Sequence, residues 1–325
     1  MTTLDQATTL APQALDALRS SDERLVVIGA SGWIGQNLLC ALHKAMGGED
    51  FAERVVCFGS SDRRLSMPGG RQIDQLALEQ LGSLDRRSTT VFHLAFLTKD
   101  KVAGMPADDY TAANRALREA VLGALDPIGA RRVFVASSGA AAFADDPDAA
   151  ADLRLYGQLK QEDERAFAAW ADEPADARTA VIARIFSLSG PFINKHETYA
   201  LASFILDGKA GRPIEVKATV PVYRSYVAIR ELLSLVMCQL FSARQGGVVF
   251  YDTGGEPVEI GELADAVANE FGVEVLRASM RSAPANRYVG SGADYGVRLA
   301  AFGLEHVALA QQIRETACTL GDSQP

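Results

Sequence analysis

The sequence predicts an α/β protein: a doubly wound parallel sheet covered by helices on both faces, with a smaller C-terminal lobe. Three observations carry this. Strand-like and helix-like runs alternate from Leu25 to Phe186. The strand-like runs are continuously apolar and β-branched, as strands buried on both faces are. A glycine-rich turn joins the first strand-like run to the first long helix-like one.

Taken in order, Leu10 to Ser20 carries apolar residues at helical spacing and predicts a short helix ahead of the sheet. Leu25 to Gly29 reads as a buried strand, Trp33 to Met46 as a helix, Arg54 to Gly59 as the second strand and Thr89 to Ala95 as the third. A helix from about Tyr110 to Leu125, a strand over Arg131 to Ser138, a helix from about Leu155 to Trp170 and a strand over Thr179 to Phe186 continue the rhythm. Ala140 to Asp152, rich in alanine and aspartate, reads as a mobile loop. After Phe186 the alternation gives way to loops with Pro191, Pro213 and Pro221 around a helix near Tyr199 to Asp207. The strand-like Gly246 to Gly255 and a helix over Ile260 to Phe271 suggest a return to the main sheet. The expected division is therefore residues 1–186 plus about 226–254 for the sheet domain, and about 187–225 plus 255–325 for the lobe.

Composition narrows the class. With 325 residues, 48% of them hydrophobic, the chain can bury a large core. A net charge of -9 argues against nucleic acid as a partner, since phosphate backbones are held by accumulated positive charge. No stretch approaches the roughly 18 uncharged apolar residues of a membrane span. Met1 to Glu23 mixes Asp and Arg into its apolar positions, unlike a signal peptide, so the cytoplasm is the expected compartment. Cys40, Cys57, Cys238 and Cys318 are far apart and form no metal-ligand spacing, which predicts buried, reduced thiols and no metal.

Gly29, Ser31, Gly32, Trp33, Ile34 and Gly35 lie in the turn that leaves the first strand and opens the first long helix. Glycines there permit a tight turn and close approach of a diphosphate, and the helix N-terminus offers unpaired amides to the anion. This predicts a Rossmann-type dinucleotide site. The end of the second strand should meet the adenosine ribose, and the sequence there is Gly59, Ser60, Ser61, Asp62, Arg63, Arg64. Hydroxyls followed by arginines suit a 2′-phosphate, so Ser60, Arg63 and Arg64 favour NADP(H). NAD(H) is the alternative, with Asp62 reaching the ribose and the arginines solvated.

Tyr156 and Lys160 stand at i and i+4, on one face of a helix. An ammonium near a phenol favours the phenolate and lowers a pKa otherwise near about 10, which is useful acid/base chemistry. Ser138 ends the strand Arg131 to Ser138, where ligands bind in such sheets.

With these pieces in place, the chain resembles the extended short-chain dehydrogenase/reductase family, near its nucleotide-sugar epimerases, dehydratases and keto-sugar reductases. The resemblance rests on GASGWIG, VFHLA, Asn114, VFVASS, YGQLK, RIFSLSGP, YRSYVAIREL and YDTGGEPVEIGELADAVA, which together span Leu25 to about Ala268. It implies that Ser138 bonds the substrate oxygen, Tyr156 exchanges a proton with it, and Lys160 binds the nicotinamide ribose and tunes Tyr156. It further implies that Leu94, Ala95 and Phe96 line the cofactor, that Gly139, Ser187 and Arg224 contact substrate, with Arg224 on a nucleotide diphosphate, and that two helices per subunit build a homodimer. His93 reads as packing inside an apolar strand.

Sugar 4,6-dehydratases of this family place an Asp-Glu pair directly after the catalytic hydroxyl residue, whereas this chain has Gly139 and Ala140. Dehydration is disfavoured for want of that acid/base pair. With an NADP-type second strand, the first expectation is an NADPH-dependent reductase of a keto-sugar, nucleotide-linked and changed at C4. An NAD-dependent nucleotide-sugar epimerase is the alternative, and a non-catalytic dinucleotide-binding sensor or scaffold is the reading from another class.

Overall fold

The computed structural model describes residues 2–68, 70–98, 104–173, 177–196, 198–242 and 246–321. The chain divides into two compact units, one of Pro12–Ile185 with Val236–Tyr251, the other of Met1–Ala11, Phe186–Leu235 and Asp252–Pro325.

An eight-stranded sheet forms the first unit. From edge to edge its order is Gly247–Asp252, Thr179–Ile185, Ala130–Ser138, Thr89–His93, Arg24–Ile28, Val55–Gly59, Gln72–Ala77 and Arg63–Ser66. Pairing is parallel from Thr179–Ile185 through to Gln72–Ala77. The edge strand Arg63–Ser66 runs antiparallel, as one arm of a hairpin with Gln72–Ala77. Leu25, Val26, Val27 and Ile28 are each 0% exposed, which is why that strand is written as an unbroken apolar run.

Alternate side chains supply the two faces. Val26, Ile28, Val91, Val133, Val135 and Ile182 join one apolar cluster with Val121 and Leu125 of helix Ala107–Leu125 and with Phe167 and Trp170 of helix Ala151–Asp172. Phe92 and Phe134 alternate with those strand residues and meet edge-on at 6.5 Å. The chain leaves Arg24–Ile28 for Val55–Gly59 on one side and later returns to Thr89–His93 on the other. That reversal of strand order opens a crevice at the carboxyl ends of the strands.

The second unit is built around Val222–Ala228, which pairs antiparallel with Pro257–Glu259 and parallel with Asn286–Tyr288 and Ser187–Ser189. A separate parallel pair joins Ile214–Val216 to Val275–Arg277. Helix Ile260–Phe271 starts on a capping box from Glu259 and Glu262 and stops at Gly272, whose φ of 69° is left-handed.

Several expectations change. The N-terminal segment folds as two helices, Thr3–Ala7 and Pro12–Arg19, where one was expected. The hairpin Arg63–Ser66 with Gln72–Ala77 was not expected, because its exposed edge arm carries Arg, Arg and Ser rather than an apolar run. Ala140 to Asp152 is not simply a loop: Gly139–Phe143 is a 3₁₀ helix with Ala140 and Ala141 buried, and helix Ala151–Asp172 begins within the stretch. Among the described residues no disulfide forms; Cys40, Cys57 and Cys238 are buried, Cys318 is half-buried, and burial pushes the Cys57 thiol up to about 12. No helix among the described residues is long and apolar enough to cross a membrane.

Candidate active site

The glycine turn is shaped by what surrounds it. Gly29 has a φ of 90°, and a Cβ there would stand 2.8 Å from the Ala95 amide nitrogen. Its own amide bonds the Phe58 carbonyl at 2.9 Å, and its carbonyl accepts the Gly32 amide at 3.0 Å, closing the turn. Gly35, in the first turn of helix Trp33–Met46, would place a Cβ 2.5 Å from the Gly29 carbonyl oxygen and 2.6 Å from that of Ala30. The helix therefore starts pressed against the turn, as a backbone cradle requires. Gly32 caps the helix without a side-chain bond, and Ser31, Trp33 and Ile34 are half-buried beside it. These residues fit a diphosphate: the helix amides are not capped by a side chain, and nothing bulkier than hydrogen fits at two of the glycines.

The segment after the second strand separates its charges. Asp62 accepts the Ala77 amide at 2.6 Å and the Gln80 side-chain amide at 2.8 Å, and so braces the hairpin. Arg63 donates to the Ser31 hydroxyl in the glycine turn. Arg64 is exposed and meets Asp74 at 3.3 Å along the hairpin. Ser60 is exposed. Of the two arginines expected near the ribose, the structure brings Arg63 to the glycine turn and ties Arg64 to the hairpin.

Ser138 ends the strand Ala130–Ser138, is 8% exposed, and accepts the Ala140 amide at 3.2 Å as the cap of the 3₁₀ turn that contains Gly139. Helix Ala151–Asp172 lies directly against that turn. A Cβ at Gly157 would stand 2.3 Å from the Ala140 carbonyl oxygen, and Gln161 donates to the Ala141 carbonyl at 2.9 Å. Tyr156 is next to that contact. Lys160, 4% exposed, donates to the Ala136 carbonyl at 2.9 Å, two residues before Ser138.

Phe96 joins these groups. Its ring centroid is 3.8 Å from the Lys160 ammonium and 5.4 Å, edge-on, from the Tyr156 ring. Leu94 and Ala95, half-buried, lead into it; the Leu94 amide bonds Ile28, and Asn114 accepts the Leu97 amide at 2.9 Å. Burial drives the Lys160 pKa down to about 8, while Asp163 and Glu164 oppose the fall.

The carboxylates behind Lys160 were not foreseen, although their spacing could have shown them: on a helix, positions i+3 and i+4 from Lys160 share its face. Glu164 takes both arms of Arg184, at 2.8 and 2.7 Å, and the Ser137 hydroxyl at 2.5 Å. Asp163 lies 3.9 Å from His93 and 3.8 Å from Arg118. His93 is buried and packs on Phe167 at 5.0 Å, and burial pushes its pKa down.

The remaining expected residues belong to the second unit. Ser187 is buried in Ser187–Ser189, opposite Tyr226. Arg224 donates to the Tyr223 carbonyl at 2.8 Å and to Asn286 at 2.9 Å, and its guanidinium lies 5.9 Å from the Tyr288 ring centroid.

A sequence model described as the NAD dependent epimerase/dehydratase family matches residues 25–250. No protein of curated function matches the sequence. Among solved structures, MoeE5 in complex with UDP-glucose and NAD is 21% identical, with 90% of this chain and 97% of that chain covered and a TM-score of 0.68. The UDP-glucose 4-epimerase of Thermus thermophilus, in complex with NAD, is 22% identical over 93% of this chain and all of that chain (100%), TM-score 0.65. TunA, described as an NAD dependent NDP-hexosamine 5,6-dehydratase involved in tunicamycin biosynthesis, is 16% identical over 91% and 96% of the two chains, TM-score 0.66. At these identities the likeness speaks for the fold, which is the expected Rossmann-type α/β architecture.

Proposed function

The chain belongs to the NAD dependent epimerase/dehydratase family of extended short-chain dehydrogenase/reductase enzymes, and from that premise we propose that it is an epimerase of a nucleotide-linked sugar. In the sequence this reading is the alternative, behind the keto-sugar reductase. Family membership, the UDP-glucose complex of MoeE5 and the likeness to the UDP-glucose 4-epimerase of Thermus thermophilus favour it.

The observation that carries the reading is the packing of helix Ala151–Asp172 against the turn that follows Ser138, with Lys160 bonded to the Ala136 carbonyl and both Lys160 and Tyr156 in contact with Phe96. The 3₁₀ turn after Ser138 offers Gly139 and Ala140 where a 4,6-dehydratase would need carboxylates. When bound, the dinucleotide supplies a nicotinamide that takes up a hydride and returns it. The chain's own residues do the rest. The turn Gly29 to Gly35 holds the diphosphate against uncapped helix amides. Tyr156, its phenolate favoured by the Lys160 ammonium, withdraws the proton of a sugar hydroxyl and later gives it back, while Ser138 bonds the same oxygen. Leu94, Ala95 and Phe96 flank the cofactor. Ser187 and Gly139 contact the sugar, and Arg224 binds the substrate diphosphate through the fit of guanidinium to phosphate. A homodimer through helices Ala107–Leu125 and Ala151–Asp172 belongs to the same proposal.

One observation favours a second reading. Arg63 reaches the Ser31 hydroxyl at the glycine turn, while Asp62 is engaged at Ala77 and Gln80. A guanidinium beside the turn suits the 2′-phosphate of NADP(H) and with it net reduction of a keto-sugar.

The deciding experiment supplies the dialysed protein with NAD or NADP and a panel of uridine and thymidine diphosphohexoses, and in a second arm with NADPH and the corresponding keto-sugar nucleotides. Epimerisation predicts a second hexose at equilibrium with no net change in nicotinamide absorbance. Stoichiometric consumption of NADPH with a keto-sugar nucleotide, and no epimer, would establish the reductase instead.

A further inference from the structure

Three carboxylates follow Lys160 within one helical turn, and each meets a different setting. Glu162 faces outward, half-buried, and is matched by Arg115 at 2.6 Å and Arg118 at 3.0 Å. Glu164 is buried, with both oxygens on Arg184 and one also on Ser137. Asp163 has a side chain 3% exposed and, among the described residues, no ion pair as short as these. Its nearest cations are His93 at 3.9 Å and Arg118 at 3.8 Å.

His93 is held toward its neutral form by burial, and Arg118 divides its guanidinium between Glu119 and Glu162, each at 3.0 Å. Lys160, three residues earlier on the same helix, feels the Asp163 charge as well. Among the described residues its ammonium has the Ala136 carbonyl and the Phe96 ring as close partners, and neither is a counter-charge. An ammonium this deeply buried loses most of its hydration, so a buried carboxylate one turn away weighs heavily in a medium of low effective dielectric.

We propose that Asp163 is a positioning residue for Lys160: its buried carboxylate keeps Lys160 in the ammonium form and thereby keeps the Tyr156 phenol acidic enough to exchange a proton. The role rests on the pairing of Tyr156 with Lys160 proposed above. Asp163 acts through Lys160 and touches no reacting atom. The groups that face this cluster are His93 from strand Thr89–His93, Arg118 from helix Ala107–Leu125, Arg184 from strand Thr179–Ile185, Ser137 from strand Ala130–Ser138, and Glu162 and Glu164 from its own helix.

The isosteric change Asp163→Asn removes one charge and leaves those neighbours intact. In the full chain, with lysine labelled by carbon-13 at the ε-methylene and the Lys160 signal identified by its loss in Lys160→Arg, the titration midpoint of Lys160 falls by roughly one pH unit in Asp163→Asn. Glu162→Gln, which removes a carboxylate already matched by two arginines, leaves it in place. The alkaline limb of kcat moves down with the midpoint, because the ammonium beside the phenol is lost at a lower pH. Should Asp163→Asn not fold, Arg118→Gln removes a competing cation and shifts the Lys160 midpoint upward. An unmoved Lys160 midpoint in Asp163→Asn, or in Arg118→Gln where that variant stands in, overturns the proposal even if stability falls. Turnover that survives Tyr156→Phe would contradict the acid/base pair itself, and that result is read independently of the lysine titration.

Discussion

Phe96 covers Lys160 with its ring face, centroid to ammonium 3.8 Å, and the same ring meets Tyr156 edge-on at 5.4 Å. One apolar side chain therefore both dries the ammonium and offers it a negative π-face. These effects oppose each other in the Lys160 pKa: drying lowers it, and the ring's quadrupole raises it.

Two substitutions separate them. Phe96→Leu keeps the cover and removes the π-face, so Lys160 titrates below its value of about 8, by up to about one pH unit for a cation–π contact of roughly 1 kcal/mol. Phe96→Ala admits water, and the midpoint moves up toward that of a solvated lysine. The alkaline limb of the kcat profile measures both, and a limb unmoved in both variants would show that the ring has no hold on Lys160.

Gly35→Ala places a methyl group 2.5 Å from the Gly29 carbonyl oxygen, which can yield only if the glycine turn shifts. A cost of about 1–3 kcal/mol in urea unfolding is expected for this overpacking. Dinucleotide affinity should fall by about tenfold or more if the displaced turn is the cradle. Gly123→Ala is the control, since nothing lies within 4 Å of its added Cβ inside helix Ala107–Leu125, and it should be neutral or slightly stabilising. Normal dinucleotide binding by a destabilised Gly35→Ala would separate the turn from the cofactor.

Cofactor choice is tested at Arg63. If its guanidinium faces a 2′-phosphate, Arg63→Ala weakens NADP(H) by about tenfold or more, the worth of one charge-assisted hydrogen bond, and leaves NAD(H) nearly unchanged. Equal affinities before and after would leave Arg63 as a brace for Ser31, and NAD(H) as the working cofactor.

The second unit carries its own pH dependence. His306 stands 3.2 Å from the buried Glu231 carboxylate, and that hydrogen bond raises its pKa above the ordinary value. A raised folded-state pKa means that the pair's stabilisation is fully present below the unfolded histidine value, about 6.5, and is lost as pH rises through the higher folded one. The melting temperature of the wild type minus that of His306→Gln, followed from about pH 5 to about pH 9, should therefore be largest at the acid end and shrink as pH rises. A difference that grows with pH through the same window would contradict the assignment.

Much of the sheet was legible because its physics is local. Trp33–Met46 and Ile260–Phe271 begin and end where apolar periodicity and glycine punctuation place them. Helix Ile229–Phe241 went unread although Ile229, Leu232, Leu233, Val236, Met237 and Leu240, each at most 1% exposed, recur at helical spacing: the strand Val222–Ala228 runs straight into it with no glycine or proline between to mark a start. The hairpin at Arg63 escaped because an exposed edge strand can be written in charged residues. At the site, the spacing of Tyr156 and Lys160 and the position of Ser138 could be read directly. The placement of Phe96 over Lys160, the engagement of Asp62 and the gathering of Asp163, His93 and Arg118 depend on contacts between residues distant in sequence, which no local pattern encodes.

The most direct measurement is turnover of Tyr156→Phe, paired with its dinucleotide dissociation constant. Removing one phenolic oxygen should lower kcat by about a hundredfold or more, as loss of a general acid/base does, with dinucleotide affinity changed by less than about threefold. Undiminished turnover in that variant would show that the proton moves through another group and that the site has been assigned to the wrong residues.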